Sequence, residues 1–210
     1  MIIVLAVLLF LFQLNHEGEE PGKIPAFISP VKIPLALSAN FGELRSDHFH
    51  SGVDIKTQGT IGKEIVAAAD GYVYRINVSP GGFGKAVYLR HQSGYSTVYG
   101  HLDRFTPEID EYVKARQYEE KSFMVTLWPP KDRFIFRKGD VIAYSGNSGS
   151  SSGPHLHYEV RILKDHGQLN QNPELWLAPA LDHGVVTGLV PECRARFSTR
   201  AKHGRMRPST

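Results

Sequence analysis

The chain has 210 residues, enough for one domain with a full core and short appendages. Its formal charge of +3 comes from one end: residues 193–210 hold six Lys/Arg and no Asp or Glu, leaving 18 basic against 21 acidic side chains elsewhere. The body of the chain therefore offers no electrostatic case for nucleic acid, and the single cysteine, Cys193, excludes an internal disulfide framework and a cysteine-based zinc site.

Met1 to Phe12 is unbroken apolar sequence, shorter than the roughly 17–25 residues that span a bilayer. Residues 1–20 are expected to be a signal peptide or a short membrane-anchor-like leader, making the protein an exported one of the periplasm or cell envelope whose membrane contact is through the leader alone. No Lys or Arg precedes the run and no small-x-small cleavage site follows it. Residues 13–30 read as a polar, proline-bearing linker.

From there the pattern is that of strands. Ile33–Leu37, Ile65–Ala68, Tyr72–Val78, Ala86–His91 and Tyr95–His101 are separated by turn chemistry such as Asp70-Gly71 and Ser79-Pro80-Gly81-Gly82. Pro107 suits a first helical turn, and Ile109, Tyr112, Val113 and Arg116 follow at near-helical spacing. A helical insertion, about 106–137, is expected to run to Trp128-Pro129-Pro130. Strands resume at Phe134–Phe136 and Val141–Tyr144, and Gly62–Ala67 is echoed by Gly139–Ala143. The fold class expected is all-β, an antiparallel sheet core of two similar halves with one short helical insertion. The domain spans 21–180, and 181–210 is a basic tail without apolar periodicity, expected to be disordered.

The chemistry concentrates in two segments. His155-Leu156-His157 lies in an alternating run ending in Tyr158, Val160 and Ile162, so both histidines share one strand face. His50 and Asp54 are four apart with Ser51-Gly52-Val53 between them, poor helix material; in an extended strand they also share a face. A catalytic zinc site takes three protein ligands and leaves a position for water. His50, Asp54 and His157 supply such a set, which leaves His155 and His101 for proton transfer or oxyanion stabilisation. His48 is the nearest rival, two residues from His50. Glu159 either orients an imidazole as an acceptor or caps the strand in solvent. The Gly/Ser-rich loop 145–153 lacks a phosphate-binding ending and reads as a flexible groove wall.

The order of these segments resembles the lysostaphin/LytM-type zinc metallopeptidases of bacterial cell walls. The likeness rests on Phe41-Gly42-Glu43-Leu44-Arg45, His50-Ser51-Gly52-Val53-Asp54, Tyr99-Gly100-His101-Leu102, Lys138-Gly139-Asp140 and Gly153-Pro154-His155-Leu156-His157-Tyr158-Glu159, and covers roughly residues 38–162. It implies one Zn2+ held by His50, Asp54 and His157, catalytic roles for His101 and His155, and a narrow groove for peptidoglycan peptide. The competing expectations are a non-catalytic cell-wall binding or activator domain and a zinc D,D-carboxypeptidase. A histidine phosphocarrier is remoter, since it has no need of Asp54 beside a histidine. All five positions are filled, which favours the enzyme. The insertion at 106–137 and the sequence after Leu181 depart from the family pattern.

Overall fold

The computed structural model describes residues 26–164, 167–177 and 181–182. The leader and all of the tail beyond Asp182 lie outside them, and no helix among the described residues is long and apolar enough to cross a membrane. Among the described residues strands dominate, as the turn-rich sequence predicts, and every strand pairing but one is antiparallel. The exception joins Leu181–Asp182 (β12) to β1 (Ala36–Ala39), so the sheet takes in the first two residues of the expected tail.

The continuous sheet runs β12, β1, β2 (Val53–Lys56), β10 (His155–Lys164), β6 (Tyr95–Phe105), β5 (Lys85–Arg90), β4 (Gly71–Val78) and β7 (Val125–Leu127). Alternation sends Val87, Leu89, Tyr99, Leu156, Tyr158 and Val160 to one face, where they join the main core. The opposite face carries a smaller cluster of Ala86, Tyr88 and Val98 with Tyr74 and Phe83 against it. The two echoed segments pair with each other: β3 (Glu64–Val66) lies antiparallel to β9 (Val141–Ser145), Ile65 opposite Ala143.

The helical insertion is shorter than expected. Helix α1 spans Pro107–Glu120, buries Ile109 and Val113, and stops where Lys121 turns left-handed at φ 49° and sends its N–H back to Gln117 and Tyr118 carbonyls. The chain then forms β7 before Trp128 rather than staying helical, because Val125 and Leu127 alternate with Thr126 and pair with Val78 and Ile76 of β4. Two-fold periodicity over three residues is too short to show against the preceding helix. A hairpin strand, β11 (Gly167–Gln171), also lies where the polar sequence gave no strand signal.

Candidate active site

Strand β10 carries His157 opposite Asp54 of β2 on one side and opposite Gly100 of β6 on the other. His50 does not share a strand with Asp54. It precedes β2 and is set by a backbone exchange, its N–H donating to the Glu43 carbonyl (2.7 Å) and its carbonyl accepting from Gly42 (2.9 Å). Gly52 makes the approach possible, for a Cβ there would meet the Tyr158 carbonyl oxygen at 2.3 Å.

These segments bring His50 Nε2, His157 Nδ1 and Asp54 Oδ1 together, with separations of 3.0 Å between the two nitrogens and 3.1 and 3.0 Å from them to the oxygen. All three residues are buried. The other nitrogen of each ring is committed: His50 Nδ1–H donates to the Asn40 carbonyl (2.8 Å) and His157 Nε2–H to Glu159 Oε1 (3.0 Å). Those bonds select the tautomers whose remaining lone pairs point at one carboxylate oxygen. Three acceptors facing one another at this distance need a cation between them, and three ligands on a tetrahedral zinc ion stand about 3.3 Å apart. The donor set fits a metal.

Electrostatics follow the same geometry. Burial alone would raise the Asp54 pKa, but the neighbouring His157 and His50 rings, which favour a negative charge between them, hold it well below the usual carboxylate range. His157 is also pulled two ways, burial favouring the neutral ring and its carboxylate neighbours Asp54 and Glu159 winning, so its pKa is raised. Arg45 donates to the second Asp54 oxygen, Oδ2, at 3.1 Å.

Glu159 caps nothing in solvent. It is fully buried and accepts from His157, from the Ser51 hydroxyl, and from Arg161 through Nε (2.6 Å) and Nη2 (2.5 Å). The acceptor reading of the sequence is the one realised.

His101 and His155 stand beside the triad, ring centroids 4.7 Å apart. His155 Nδ1–H donates to the Gly153 carbonyl at 2.8 Å, and its Nε2 lies 3.5 Å from Asp54 Oδ1. His101 does not end its strand. It takes a left-handed backbone (φ 57°) mid-way along β6, at the point where the strand passes from pairing with β10 to pairing with β9. Its Nδ1–H donates to the Ser148 carbonyl at 2.8 Å, and burial lowers its pKa to about 4.

The loop expected to be a flexible wall is stitched to the β4–β5 turn. Ser150 N–H donates to the Gly82 carbonyl (2.8 Å), Gly82 N–H to Ser150 Oγ (3.0 Å), Lys85 N–H to Ser148 Oγ (2.9 Å), and Ser148 Oγ to the Leu102 carbonyl (2.7 Å). That turn delivers Phe83, whose ring stacks on His157 at 4.6 Å. The five expected residues and Phe83 line a cleft of about 400 Å³, with Arg45 and Ser150 to Ser152. His48 lines it too, but its exposed ring bonds Asp47 (2.6 Å) and stays out of the triad. Sequence reasoning missed Phe83, Ser148 and Arg161. A lone aromatic among turn glycines, Gly81-Gly82-Phe83-Gly84, was the available signal for the first.

Residues 48–118 match the profile of Peptidase family M23. The chain carries a peptidase family M23 domain. It is 40% identical over 195 residues to an uncharacterized metalloprotease of Haemophilus influenzae, covering 90% of this chain and 34% of that protein. It is 34% identical over 120 residues to the DD-carboxypeptidase/endopeptidase Mpg of Neisseria meningitidis, covering 57% and 21%. Among solved structures, the catalytic domain of the M23 protein EnpA from Enterococcus faecalis superposes with a TM-score of 0.51 at 24% identity, over 71% of this chain and 97% of that one. The chain thus spans about a third of the first relative's length and a fifth of the second's.

Proposed function

We propose that this M23 domain is a zinc-dependent endopeptidase hydrolysing the peptide cross-bridges of bacterial peptidoglycan, at work in the cell envelope. The observation that carries the reading is the convergence of three bare lone pairs from His50, Asp54 and His157 beside two further imidazoles. Those three residues would hold one Zn2+, which when bound supplies a Lewis acid and a water of lowered pKa.

The chain's own groups handle the protons. Hydrolysis of an amide takes a proton from water and returns one to the leaving nitrogen. His101 keeps Nδ1–H on Ser148, so Nε2 is its free basic atom, and a pKa near 4 keeps the ring neutral at physiological pH. His155 is held in the same tautomer by Gly153, with Nε2 turned toward the triad. Phe83 covers one face of the His157 ring and excludes water from it.

An endopeptidase, unlike a carboxypeptidase, needs room on both sides of the scissile bond. A second groove of about 590 Å³ shares His50 and Ser51 with the first and is lined by Phe41, Phe49, Leu169, Asn170 and Gln171, with no charged side chain. A groove adjoining the cleft supports a substrate chain that runs on past the triad, and its lining holds no Lys or Arg for a terminal carboxylate.

The test is hydrolysis of purified cross-linked peptidoglycan, with zinc measured on each variant. His157→Ala and Asp54→Ala are expected to lose metal and activity together; His101→Ala and His155→Ala are expected to keep the metal and lose activity. Full activity in the His101→Ala variant would remove that residue from the mechanism, and stoichiometric zinc in His157→Ala would remove the triad.

A further inference from the structure

On the sheet face opposite the main core, cations and aromatic rings interleave over β5, β4 and the start of the segment after β7. The Arg75 guanidinium lies between the Tyr88 ring (4.8 Å) and the Trp128 ring (5.4 Å), and Arg90 lies over Tyr74 (4.8 Å). Tyr74 in turn meets Tyr88 at 6.0 Å and Trp128 at 6.2 Å, so the rings form one continuous surface. Trp128 is 63% exposed.

The cations of this surface have no countercharge. Neither Arg75 nor Arg90 makes an ion pair or side-chain hydrogen bond with any described residue, and Arg75 Nε is buried without a partner. The neighbouring Arg161, by contrast, is neutralised by Glu159. A guanidinium flattened between rings keeps its in-plane donors for an incoming oxyanion, and stacking orients it without filling them.

The surface is continuous with the cleft. Phe83, stacked on His157, also packs on the Ala86, Tyr88 and Val98 cluster from which Tyr74 rises. From His157 on β10, three to four strand spacings of about 4.8 Å lead across β6, β5 and β4 to β7, roughly 15–20 Å.

We propose that this Arg/Tyr/Trp surface is a second binding site, which takes a carboxylate-bearing glycopeptide strand of the same polymer whose cross-bridge lies in the cleft. The proposal rests on the peptidoglycan reading above. Unpaired arginines take the carboxylates; Trp128 and Tyr74 take the apolar faces of sugar rings. The occupant is a polymer because the surface lies beyond the reach of a short peptide seated at His157.

The test uses the full chain, zinc-loaded, with Trp128→Ala, Arg90→Gln and the pair combined. Two substrates are compared: intact peptidoglycan sacculi, and a soluble cross-linked muropeptide dimer too short to span both sites. The combined variant is expected to lose about tenfold in rate on sacculi with the dimer rate unchanged. In chelator, sedimentation with sacculi is expected to weaken by a similar factor. Equal loss on both substrates would mark the surface as merely structural, and no loss on sacculi would overturn the proposal. If the unaltered chain cleaves neither substrate, the endopeptidase reading fails, and sedimentation in chelator still decides the second site: unaltered retention of the variants overturns it. Retention by a membrane vesicle of anionic lipid but not by sacculi overturns it in favour of a lipid surface.

Discussion

Glu159 is the residue whose replacement separates the metal-holding role of the site from its folding role. It is fully buried and receives the His157 ring, the Ser51 hydroxyl and two Arg161 donors. Glu159→Gln keeps the shape but removes the charge. Arg161, with only 18% of its side chain exposed, is then left without a countercharge, a situation that costs about 3 kcal/mol. One amide oxygen must serve Arg161 or His157, not both, so the Nε2–H tautomer of His157 loses its fixed acceptor. Losing such a support weakens a metal site by about 10–100-fold. Urea unfolding in chelator reads the first effect, and competition with a chromogenic zinc chelator reads the second. Adding Arg161→Gln removes the stranded cation, so stability is expected to recover by about 1–2 kcal/mol while zinc affinity stays low. Wild-type zinc affinity in Glu159→Gln would refute the argument that this carboxylate sets the His157 tautomer.

Two further predictions concern folding around the site. His91 is buried, donates through Nδ1 to the Asp70 carbonyl (2.8 Å), and has its pKa lowered by burial to about 4. The unfolded chain, with a pKa near 6.5, then binds the extra proton between these values, so stability is lost as pH falls from about 6.5 toward 4. In chelator the difference between pH 7.5 and pH 5 is expected to be about 2 kcal/mol larger than in His91→Gln; identical pH profiles would show that His91 does not stay neutral in the fold. Gly52→Ala would place its Cβ 2.3 Å from the Tyr158 carbonyl and 2.8 Å from Glu159 Cγ, pushing the His50 segment off β10. It is expected to cost about 2 kcal/mol and to weaken zinc binding, whereas Gly153→Ala, with nothing within 4 Å, is expected to leave both near wild type, as calorimetry and metal titration would show.

How much was legible in the sequence varies with the range of the interaction. The alternation after Gly153 announced β10 and put His155 and His157 on one face, because side-chain period is a local property. The His50–Asp54 pair was found for a partly mistaken reason. Spacing suggested one strand; the structure bends the chain at Ser51 and Gly52 and fits His50 in from a loop. The bend depends on the approach of Gly52 to Tyr158, more than a hundred residues away, which spacing does not encode. Strand β7 was hidden for the same reason: Val125 and Leu127 are a strand because β4 is beside them. Glu159 was found, but with two readings, since the donors that decide between them come from Ser51 and Arg161 on different segments and strand positions.

The stitched loop has a consequence for how acid–base behaviour at His101 is set. His101 takes its tautomer from the carbonyl of Ser148, a residue 47 positions along the chain, whose hydroxyl also ties Lys85 and Leu102 together. Gly149 leaves no slack in that tie, as a Cβ there would sit 2.3 Å from the Gly84 nitrogen. Variation at 148–149 is therefore expected to shift the proton affinity of His101, a residue it never replaces.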